Sequence, residues 1–416
     1  MRIIFHIDVN SAYLSWTAVE QLKNGAGVDI RTIPAIIGGD QKSRHGIVLA
    51  KSISAKKYGI RTGEPVANAF RKCPNLHMEA PDHEMYHKHS WELMAFLRSY
   101  TPDIEQVSVD ECYMDFTGIS GRFASPVEAA FEIKDEVKKR FGFTVNIGIS
   151  DVKVLAKMAS DFEKPDRVHT LFRKEIQEKM WPLPISDLFM AGHSSVETLR
   201  KLEIQTIGDL AKADPKLIEL HLKSHGRRLW EFANGMDDSI VESEKAEAKG
   251  VGNSTTLSKD VSTKEDAQKV LLSLAQSVGG RLRKHGYHAG VVNVEIKYAD
   301  FTVNSHQKQL ERMTASDQVI YQTAVELFCE MWNGKPIRLL GIRTSKLSQE
   351  GEPQQLSLFD LNFHSSDNIS EEVKSFENSQ KHEKLDQALD EIRKKFGKDA
   401  VVRASFLKKP EKEEKM

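Results

Sequence analysis

Three acidic residues are of the type that could hold metal ions for phosphoryl transfer. Asp8 ends an apolar segment, and Asp110 and Glu111 stand together in a predicted hairpin 102 residues later. Close carboxylates repel one another and raise a pKa. Two divalent cations about 3.5–4 Å apart remove that penalty and clamp the attacking and leaving oxygens. On spacing alone, an ordinary surface turn is the simpler interpretation, because adjacent strand residues point to opposite faces unless the hairpin twists.

The segments that position these carboxylates predict an antiparallel-rich α+β layer with helices on one face. A buried strand runs from Arg2 to Asp8, and helical spacing begins at Ala12, with Asn10 or Ser11 as its cap. Two strands around a tight turn at Asp110-Glu111 occupy Ile104 to Phe116. Apolar patterning further predicts strands over 33–37, 46–50 and 145–149, and helices over 81–100, 126–141 and 152–162.

The predicted secondary structure and the polarity change several times along the rest of the chain. Short helices broken by glycine are predicted over 185–236, and a polar linker over 242–250. Strand-like and helical segments then alternate, including 289–298 and 316–332. After Lys346 the chain turns polar, with a flexible segment predicted over 364–382 and a last helix over 384–396.

Composition limits the class of protein. The chain has 416 residues, which suggests two to four domains, and 59 Lys and Arg against 60 Asp and Glu. The near-neutral total hides a basic segment, since Lys249 to Lys346 holds 14 Lys and Arg against 9 Asp and Glu, a modest signal for phosphate binding. Three scattered cysteines exclude a disulfide framework and a thiolate zinc site. Short apolar runs and an N-terminus without a cleavable signal pattern predict a cytoplasmic protein.

Motifs in one consistent order carry a family resemblance. The segments Ile7-Asp8-Val9-Asn10-Ser11-Ala12-Tyr13 and Val107-Ser108-Val109-Asp110-Glu111-Cys112-Tyr113 resemble the Y-family DNA polymerases of the bacterial DNA polymerase IV group. Further motifs of the family follow at 55–60, 148–151, 156–160, 164–165, 206–210 and 256–261. The resemblance covers residues 1 to about 346, so a chance match is excluded.

The resemblance implies an α+β multidomain fold, a right-hand polymerase with a ferredoxin-like palm, small fingers, an all-helical thumb and an α/β little finger. Transferred to this chain, the palm takes 1–10 and 77–165 and the fingers 11–76. The thumb, with helix-hairpin-helix elements, takes 166–240, and a linker takes 241–250. The little finger takes 251–346, and a tail with a clamp-binding motif takes 347–416.

The resemblance also assigns the catalytic site. Asp8, Asp110 and Glu111 match the metal-binding carboxylates, and Val9 stands where the family offers a backbone carbonyl to a metal. Two Mg²⁺ ions per site are implied, with Mn²⁺ able to substitute. Tyr13 matches the steric gate whose ring excludes a ribose 2′-hydroxyl; without the resemblance, core packing would be the simpler role. The implied nucleotide-binding residues are Asn10, Ser11, Ala12, Tyr13, Lys56 and Lys164.

Three positions depart from the family pattern. Lys56 stands where most relatives carry Arg, and Ile53 where many carry Tyr. Because Arg grips phosphate bidentately and Lys acts as a point charge, the first change weakens orientation more than attraction. Met190 replaces a glycine of a thumb hairpin, and its Cβ is expected to hinder the approach of backbone to phosphate. The predicted DNA contacts are Gly192, Gly226 and Arg227 in the thumb, and the basic residues Lys259, Arg281, Arg283 and Lys284 in the little finger.

The tail holds a short apolar cluster, Gln355-Leu356-Ser357-Leu358-Phe359, between polar stretches. It resembles the motif by which bacterial polymerases bind the sliding clamp. Gln355 would hydrogen-bond at the mouth of the pocket while Leu358 and Phe359 insert, and Leu356 belongs to the same clamp-binding set. The alternative is that this segment folds back onto the little finger.

The implied function is template-directed DNA synthesis past damaged bases, by two-metal phosphoryl transfer, with low fidelity and no proofreading exonuclease. The implied partners are primer–template DNA, deoxynucleoside triphosphates and the sliding clamp; the protein is expected to be monomeric and to bind no membrane. A nucleotide cyclase with a palm-like layer and a catalytically silent DNA-binding relative are the two alternatives. Primer extension with a Mg²⁺ titration distinguishes the three.

Overall fold

The computed structural model describes residues 2–39, 46–244, 247–349, 369–397 and 400–401, with the backbone alone over 369–380. The chain divides into two compact units, Met1–Lys245 and Ala246–Met416. None of the helices in these ranges combines the length and the apolar composition that a bilayer crossing requires. In the first unit, the elements that form and flank the sheets are β1 (Ile4–Val9), α1 (Ala12–Lys23), β2 (Ala35–Gly38), β3 (Val48–Lys51), α2 (Ile53–Lys56), α3 (Val66–Lys72), β4 (His77–Glu79), α4 (His83–Arg98), β5 (Ile104–Gln106), β6 (Glu111–Asp115), α5 (Pro126–Phe141), β7 (Val145–Ser150), α6 (Lys153–Asp161) and β8 (Val168–Thr170).

The larger sheet of the first unit has the strand order β5-β6-β1-β7-β8. β1 lies at its centre and pairs antiparallel with β6 and with β7, while the short edge strand β8 runs parallel to β7. The sheet therefore joins segments from both ends of the predicted palm. β8 was not predicted, because it is only three residues long and all three residues are half-buried, so no apolar pattern marks it.

Helices cover both faces of this sheet, which corrects the prediction of helices on one face. Alternate residues of β1, Phe5, Ile7 and Val9, are buried in a core with side chains of α1, α4 and α5. α6 lies on the opposite face, where Ile4 packs with Ala156. A Cβ at Gly148 of β7 would lie 2.0 Å from the Ala156 carbonyl oxygen, so only glycine permits this close approach.

The local signals at helix ends have mixed outcomes. The Ser125 side chain caps α5 by accepting the Glu128 N–H, Pro126 occupies its first turn, and Gly142 ends it with φ 77°. The prediction for α1 is wrong in its cap, because Ser11 precedes the helix with φ 49° and makes no side-chain cap. Asn10 does not cap it either, since its side chain bonds elsewhere in the palm.

The predicted fingers contain a small sheet of order β3-β2-β4. β2 pairs antiparallel with β3 and parallel with β4. One face packs Leu14 and Ala18 of α1 against Ile37 of β2 and Ala50 of β3. This contact fixes the start of α1, which carries Tyr13, against the fingers sheet.

The first unit ends in a helical segment with α7 (Ile176–Lys179), α8 (His193–Lys201), α9 (Ile207–Lys212) and α10 (Pro215–Ala233). α10 is broken at Lys223, which has the left-handed φ of 55°. Leu155 and Met158 of α6 share a core with this segment, so α6 connects the larger sheet to the helices.

The second unit is an antiparallel sheet of order β11-β10-β12-β9 with helices packed against it. Its elements are β9 (Gly250–Val261), α11 (Lys264–Lys284), β10 (Tyr287–Tyr298), β11 (Val303–Thr314), α12 (Asp317–Met331), β12 (Ile337–Gln349) and α13 (Ile369–Phe396). Side chains of α11, such as Leu271 and Val278, and Phe328 of α12 form one core with the inner face of the sheet.

α13 begins fifteen residues before the predicted last helix, at Ile369 instead of Lys384, so part of the segment predicted to be flexible is helical. Its described side chains dock on the start of α12. Glu383 accepts hydrogen bonds from the Thr314 hydroxyl and the Ala315 N–H, and Asp386 accepts the Asp317 N–H at 2.9 Å. Carboxylates at a helix N-terminus stabilise it through the free N–H groups and the helix dipole.

Candidate active site

The pairing of β1 with β6 brings Asp8 and Glu111 together. The two residues are direct cross-strand partners in the antiparallel ladder. Cys112 and Met114 of β6 are buried in the core on the far side. Glu111 therefore lies on the same face as Asp8, the face that α6 covers.

Asp110 lies outside the strand, in the turn that joins β5 to β6. The turn covers Val107 to Asp110, so it begins three residues and ends one residue before the predicted turn at Asp110-Glu111, and β6 begins at Glu111. The Val9 N–H donates to the Asp110 carbonyl at 3.0 Å, which ties the turn to the end of β1. The strand alternation that argued against convergence therefore does not apply to Asp110.

Ser108 organises this turn. Its hydroxyl donates to Asp110 Oδ1 at 2.6 Å, and its oxygen accepts the Glu111 N–H at 3.1 Å. Burial raises the pKa of Asp110, the Ser108 hydrogen bond opposes that shift, and the charges of Asp8 and Glu111 add to it. The shift shows that the fold holds three carboxylates within electrostatic reach of one another.

Two lysines approach the carboxylates from α6 and the loop after it. Lys157 Nζ lies 2.8 Å from Glu111 Oε2, and Lys164 contacts Asp8 as well as Asp161. Burial alone would lower the pKa of Lys164, but the two carboxylates raise it. The pKa of Glu111 falls to about 2 through its contact with His6 and through the Lys157 ammonium, against the opposing effect of burial.

The donor set fits hard divalent cations, which prefer carboxylate oxygens. Within the described ranges, no three His, Cys, Asp or Glu side chains form a ready-made metal-binding group. Lys164 and Lys157 each contact a carboxylate oxygen of this site. A cation bound beside Asp110 would lower its pKa, which burial raises first and the Asp8 and Glu111 charges raise further. Asp8, Asp110, Glu111 and the backbone of Val9 are the groups that would hold it.

Tyr13 lies in the first turn of α1, beside this site. Its ring stacks on that of Tyr86, with centroids 4.3 Å apart and planes 9° from parallel. Burial raises the pKa of the Tyr13 hydroxyl, and the Asp110 charge adds to the shift. The ring is therefore fixed in orientation and lies within electrostatic reach of a predicted metal ligand.

The other residues predicted to contact nucleotide differ in their availability. The Asn10 side chain is buried, and it bonds Asn146, Thr144 and the Asp166 N–H. These hydrogen bonds give the side chain a structural role, and the nucleotide contact at Asn10 stays a prediction. Ala12 is also buried, whereas Ser11 is exposed. The backbone of Asn10 is engaged as well, because its N–H donates to the Thr144 carbonyl and its carbonyl accepts the Ser15 hydroxyl.

Lys56 and Lys164 present cationic groups on different elements. Lys56 ends α2 with an exposed side chain, three residues after the half-exposed Ile53. The ammonium group of Lys164 forms an ion pair with Asp8, so it lies beside the carboxylates and is not free in solvent. A triphosphate bound next to Asp8 would meet both charges only if Lys164 turned toward it.

Of the phosphate contacts predicted for the helical segment, two residues are exposed and one is buried. Gly192 is exposed at the start of α8, and Met190 before it adopts a left-handed φ of 67°. Gly226 is buried within α10, where a Cβ would lie 2.7 Å from the Ile218 carbonyl oxygen. Its glycine is therefore explained by packing. Arg227 is exposed but paired with Glu231 at 2.9 Å.

In the second unit, Lys259, Arg281 and Lys284 are exposed. Arg283 is not, and its prediction as a DNA contact is corrected. Its side chain is 6% exposed and bonds Asp317 at 2.8 Å and Asp390 of α13 at 2.7 Å. The guanidinium is therefore neutralised by carboxylates of its own unit, because a buried guanidinium requires carboxylate partners.

Gln355, Leu356, Leu358 and Phe359 of the clamp-like motif lie outside the described residues. Lys157, His6 and Ser108 were not predicted to belong to the site. The first belongs to the motif at 156–160 that carried the resemblance, and Lys157 and Lys164 are seven residues apart. That spacing was the available signal, because it places both ammonium groups near one side of the sheet.

Comparison with known proteins supports an evolutionary relationship over the whole chain. Residues 7–161 match the impB/mucB/samB family, and residues 248–358 match the C-terminal domain of that family. The chain is 46% identical to DNA polymerase IV of Clostridium acetobutylicum over 411 residues, which cover 99% of this chain and all of the relative. It is 36% identical to DNA polymerase IV 1 of Bacillus subtilis over 416 residues, which cover 95% of that relative.

A solved structure shares the fold. A Y-family DNA polymerase chimera of Dbh and Dpo4 superposes with a TM-score of 0.73, covering 84% of this chain and 100% of the other. The sequence identity between the two is 21%, so this likeness concerns the fold alone. It confirms the predicted α+β right-hand architecture.

Proposed function

The chain belongs to the impB/mucB/samB family of Y-family DNA polymerases and is a DNA-directed DNA polymerase of translesion synthesis and DNA repair, and we propose that it extends a primer by two-metal phosphoryl transfer. The proposal includes Mg²⁺ as the metal, low fidelity without a proofreading exonuclease, and action as a monomer in the cytoplasm. Primer–template DNA and deoxynucleoside triphosphates are its substrates.

One observation carries the proposal. Asp110 sits in a turn tied to the end of β1, and its pKa is raised by burial and by the charges of Asp8 and Glu111. A fold that places three carboxylates together without an equal number of firmly buried cations is built for a cationic ligand. A polymerase site needs this arrangement, whereas a silent DNA-binding relative does not.

The residues of the chain divide the work of the reaction. Metal ions held here would activate the primer 3′-hydroxyl and neutralise the charge on the leaving pyrophosphate. Ser108 fixes the orientation of Asp110 through its hydroxyl. Lys164 carries a positive charge at the edge of the site, where it can attract a triphosphate. Tyr13 presents a fixed ring beside Asp110, where it can exclude the 2′-hydroxyl of a ribonucleotide.

Primer extension on undamaged and lesion-bearing templates tests the proposal. Extension that rises with Mg²⁺, and that continues past a lesion, is the expected result. A protein that binds primer–template but extends nothing at any Mg²⁺ concentration contradicts the polymerase proposal. A product formed from nucleotide alone, without primer, would favour the nucleotide cyclase.

We also propose that Gln355 to Phe359 bind the sliding clamp. Such short peptides bind weakly, but attachment to an enzyme already on DNA raises their effective concentration. Replacing both Leu358 and Phe359 with alanine is expected to leave unassisted primer extension unchanged and to remove stimulation by the clamp. Product length with and without clamp is the measurement. A double variant that still responds fully to the clamp shows that the contact lies elsewhere, and Ser357→Ala is the matched control.

A further inference from the structure

Lys157 contacts one oxygen of Glu111 in a partly buried ion pair. Its Nζ lies 2.8 Å from Glu111 Oε2, and the two side chains are 14% and 23% exposed. Its second partner, Asp161, is more distant at 3.6 Å. Partly buried pairs are screened less by salt than surface pairs, and the ammonium hydrogen bond restricts the carboxylate.

The turn of α6 that carries Lys157 is anchored to the strand that carries Asp8. The Ser160 hydroxyl donates to the Lys157 carbonyl at 2.8 Å, and Ser160 Oγ lies 2.8 Å from His6 Nδ1. His6 is 1% exposed, two residues before Asp8 on β1. Close packing at Gly148 presses the same turn onto β7. The base of the Lys157 side chain is therefore held rigidly relative to the sheet.

Lys157 makes the shorter of two contacts to Glu111 Oε2. Its Nζ lies 2.8 Å from this oxygen, whereas His6 Nε2 lies 3.4 Å from it, beyond the usual hydrogen-bond distance. Among the described residues, the hydrogen bond from Lys157 reaches Oε2 alone. Oε1 is left for a different ligand.

On these grounds, and resting on the function proposed above, we infer that Lys157 is a positioning residue for Glu111. By binding Oε2 it restricts the rotation of the carboxylate and leaves Oε1 for a ligand at the site that Glu111 shares with Asp8, its cross-strand partner. Groups that orient a metal ligand from behind typically affect metal affinity or activity by about 10–100-fold. Lys157 thus differs from Lys164, which is more exposed and bound to Asp8.

The two roles open to Lys157 predict opposite results for a metal. A simple counter-charge would repel the cation, so its removal would tighten binding. A positioning residue would weaken binding when removed, because Glu111 could then rotate. Lys157→Met is therefore expected to weaken the binding of Mn²⁺ alone, measured by electron paramagnetic resonance on the full chain, about tenfold. Binding as tight as wild type, or tighter, overturns the inference.

Two further variants sharpen this comparison. Lys157→Arg keeps a donor and is expected to recover most of the affinity. Lys153→Met is the matched control, because Lys153 lies one turn earlier on α6 and pairs with Glu105 of β5 at 2.7 Å. It is expected to leave Mn²⁺ affinity within about twofold of the wild type. Equal loss in both variants would show a general loosening of α6 and would overturn the specific role of Lys157.

Steady-state kinetics supply a second readout. Lys157→Met is expected to lower kcat about tenfold and to leave the KM for deoxynucleotide within about twofold, because Lys157 orients a carboxylate and does not bind the nucleotide. A change confined to KM contradicts the inference. Where the wild type itself binds no Mn²⁺ and extends no primer, the proposed function fails; where the wild type does both and Lys157→Met is unchanged, only the positioning role fails.

The Glu111→Gln background keeps the test valid if Lys157→Met is unstable. In that background no charged carboxylate is left behind, so the double variant avoids the cost of an unpaired charge. Adding Lys157→Met to Glu111→Gln is expected to change Mn²⁺ affinity by less than about twofold. A further tenfold loss would show that Lys157 acts through another group, which overturns the inference.

Discussion

Replacing Asp110 with alanine is expected to lower the rate of nucleotide incorporation by roughly 10³-fold, the upper range for removal of one electrostatic group from a transition state. Asp110 stands in a turn held by Ser108 and by the Val9 N–H, so no neighbouring side chain can replace it. Glu111→Ala is expected to give the same result. Single-turnover primer extension measures the effect.

Primer–template binding should survive in both variants, within about twofold of the wild type, because affinity for DNA comes mainly from phosphate contacts elsewhere. Asp103→Ala is the matched control, since Asp103 is an exposed carboxylate at the other end of β5 and should not affect incorporation. An Asp110→Ala enzyme that extends a primer near the wild-type rate would refute the metal-binding role of this residue.

Tyr13→Ala is expected to reduce the preference for deoxynucleotides over ribonucleotides by at least roughly 10²-fold, with little loss of deoxynucleotide use. The ring of Tyr13 is locked by its stack on Tyr86, so it cannot swing aside for a 2′-hydroxyl. Alanine vacates that space. The ratio of kcat/KM for the two kinds of nucleotide measures the change.

Tyr13→Phe provides the control, because it keeps the ring and its stack while removing the hydroxyl. Discrimination should stay within about threefold of the wild type in this variant if the ring alone acts as the gate. The alanine variant also loses an aromatic pair worth about 1 kcal/mol. A lower melting temperature with unchanged sugar discrimination would show that Tyr13 serves core packing only.

Lys56 and Ile53, which differ from the family pattern, both lie at the surface of α2. Both side chains are exposed on α2, and neither is engaged in a described ion pair. Lys164, by contrast, is bound to Asp8 and Asp161. We therefore expect a bound triphosphate to compete with Asp8 for Lys164, and to reach Lys56 without breaking a described ion pair.

The amino-acid sequence by itself determined the family, the class of reaction and most of the regular structure. The motifs around Asp8 and Asp110 predicted a Y-family polymerase, and the comparisons confirm it. Long amphipathic segments were placed well, and α5 has the predicted bounds, Pro126–Phe141. Such elements are predictable because their apolar period and their caps act over a few neighbouring residues.

The tertiary structure alone decided which charges face one another. It placed α6 on the second face of the sheet, where Lys157 meets Glu111, 46 residues away in the chain. It also enclosed Arg283 with Asp390, 107 residues further along, and so removed a predicted DNA contact. Local sequence shows that a side chain is charged, but not which distant element packs against it. Pairing across such distances depends on how the sheet and helices stack, and that is set by the whole core rather than by any one segment.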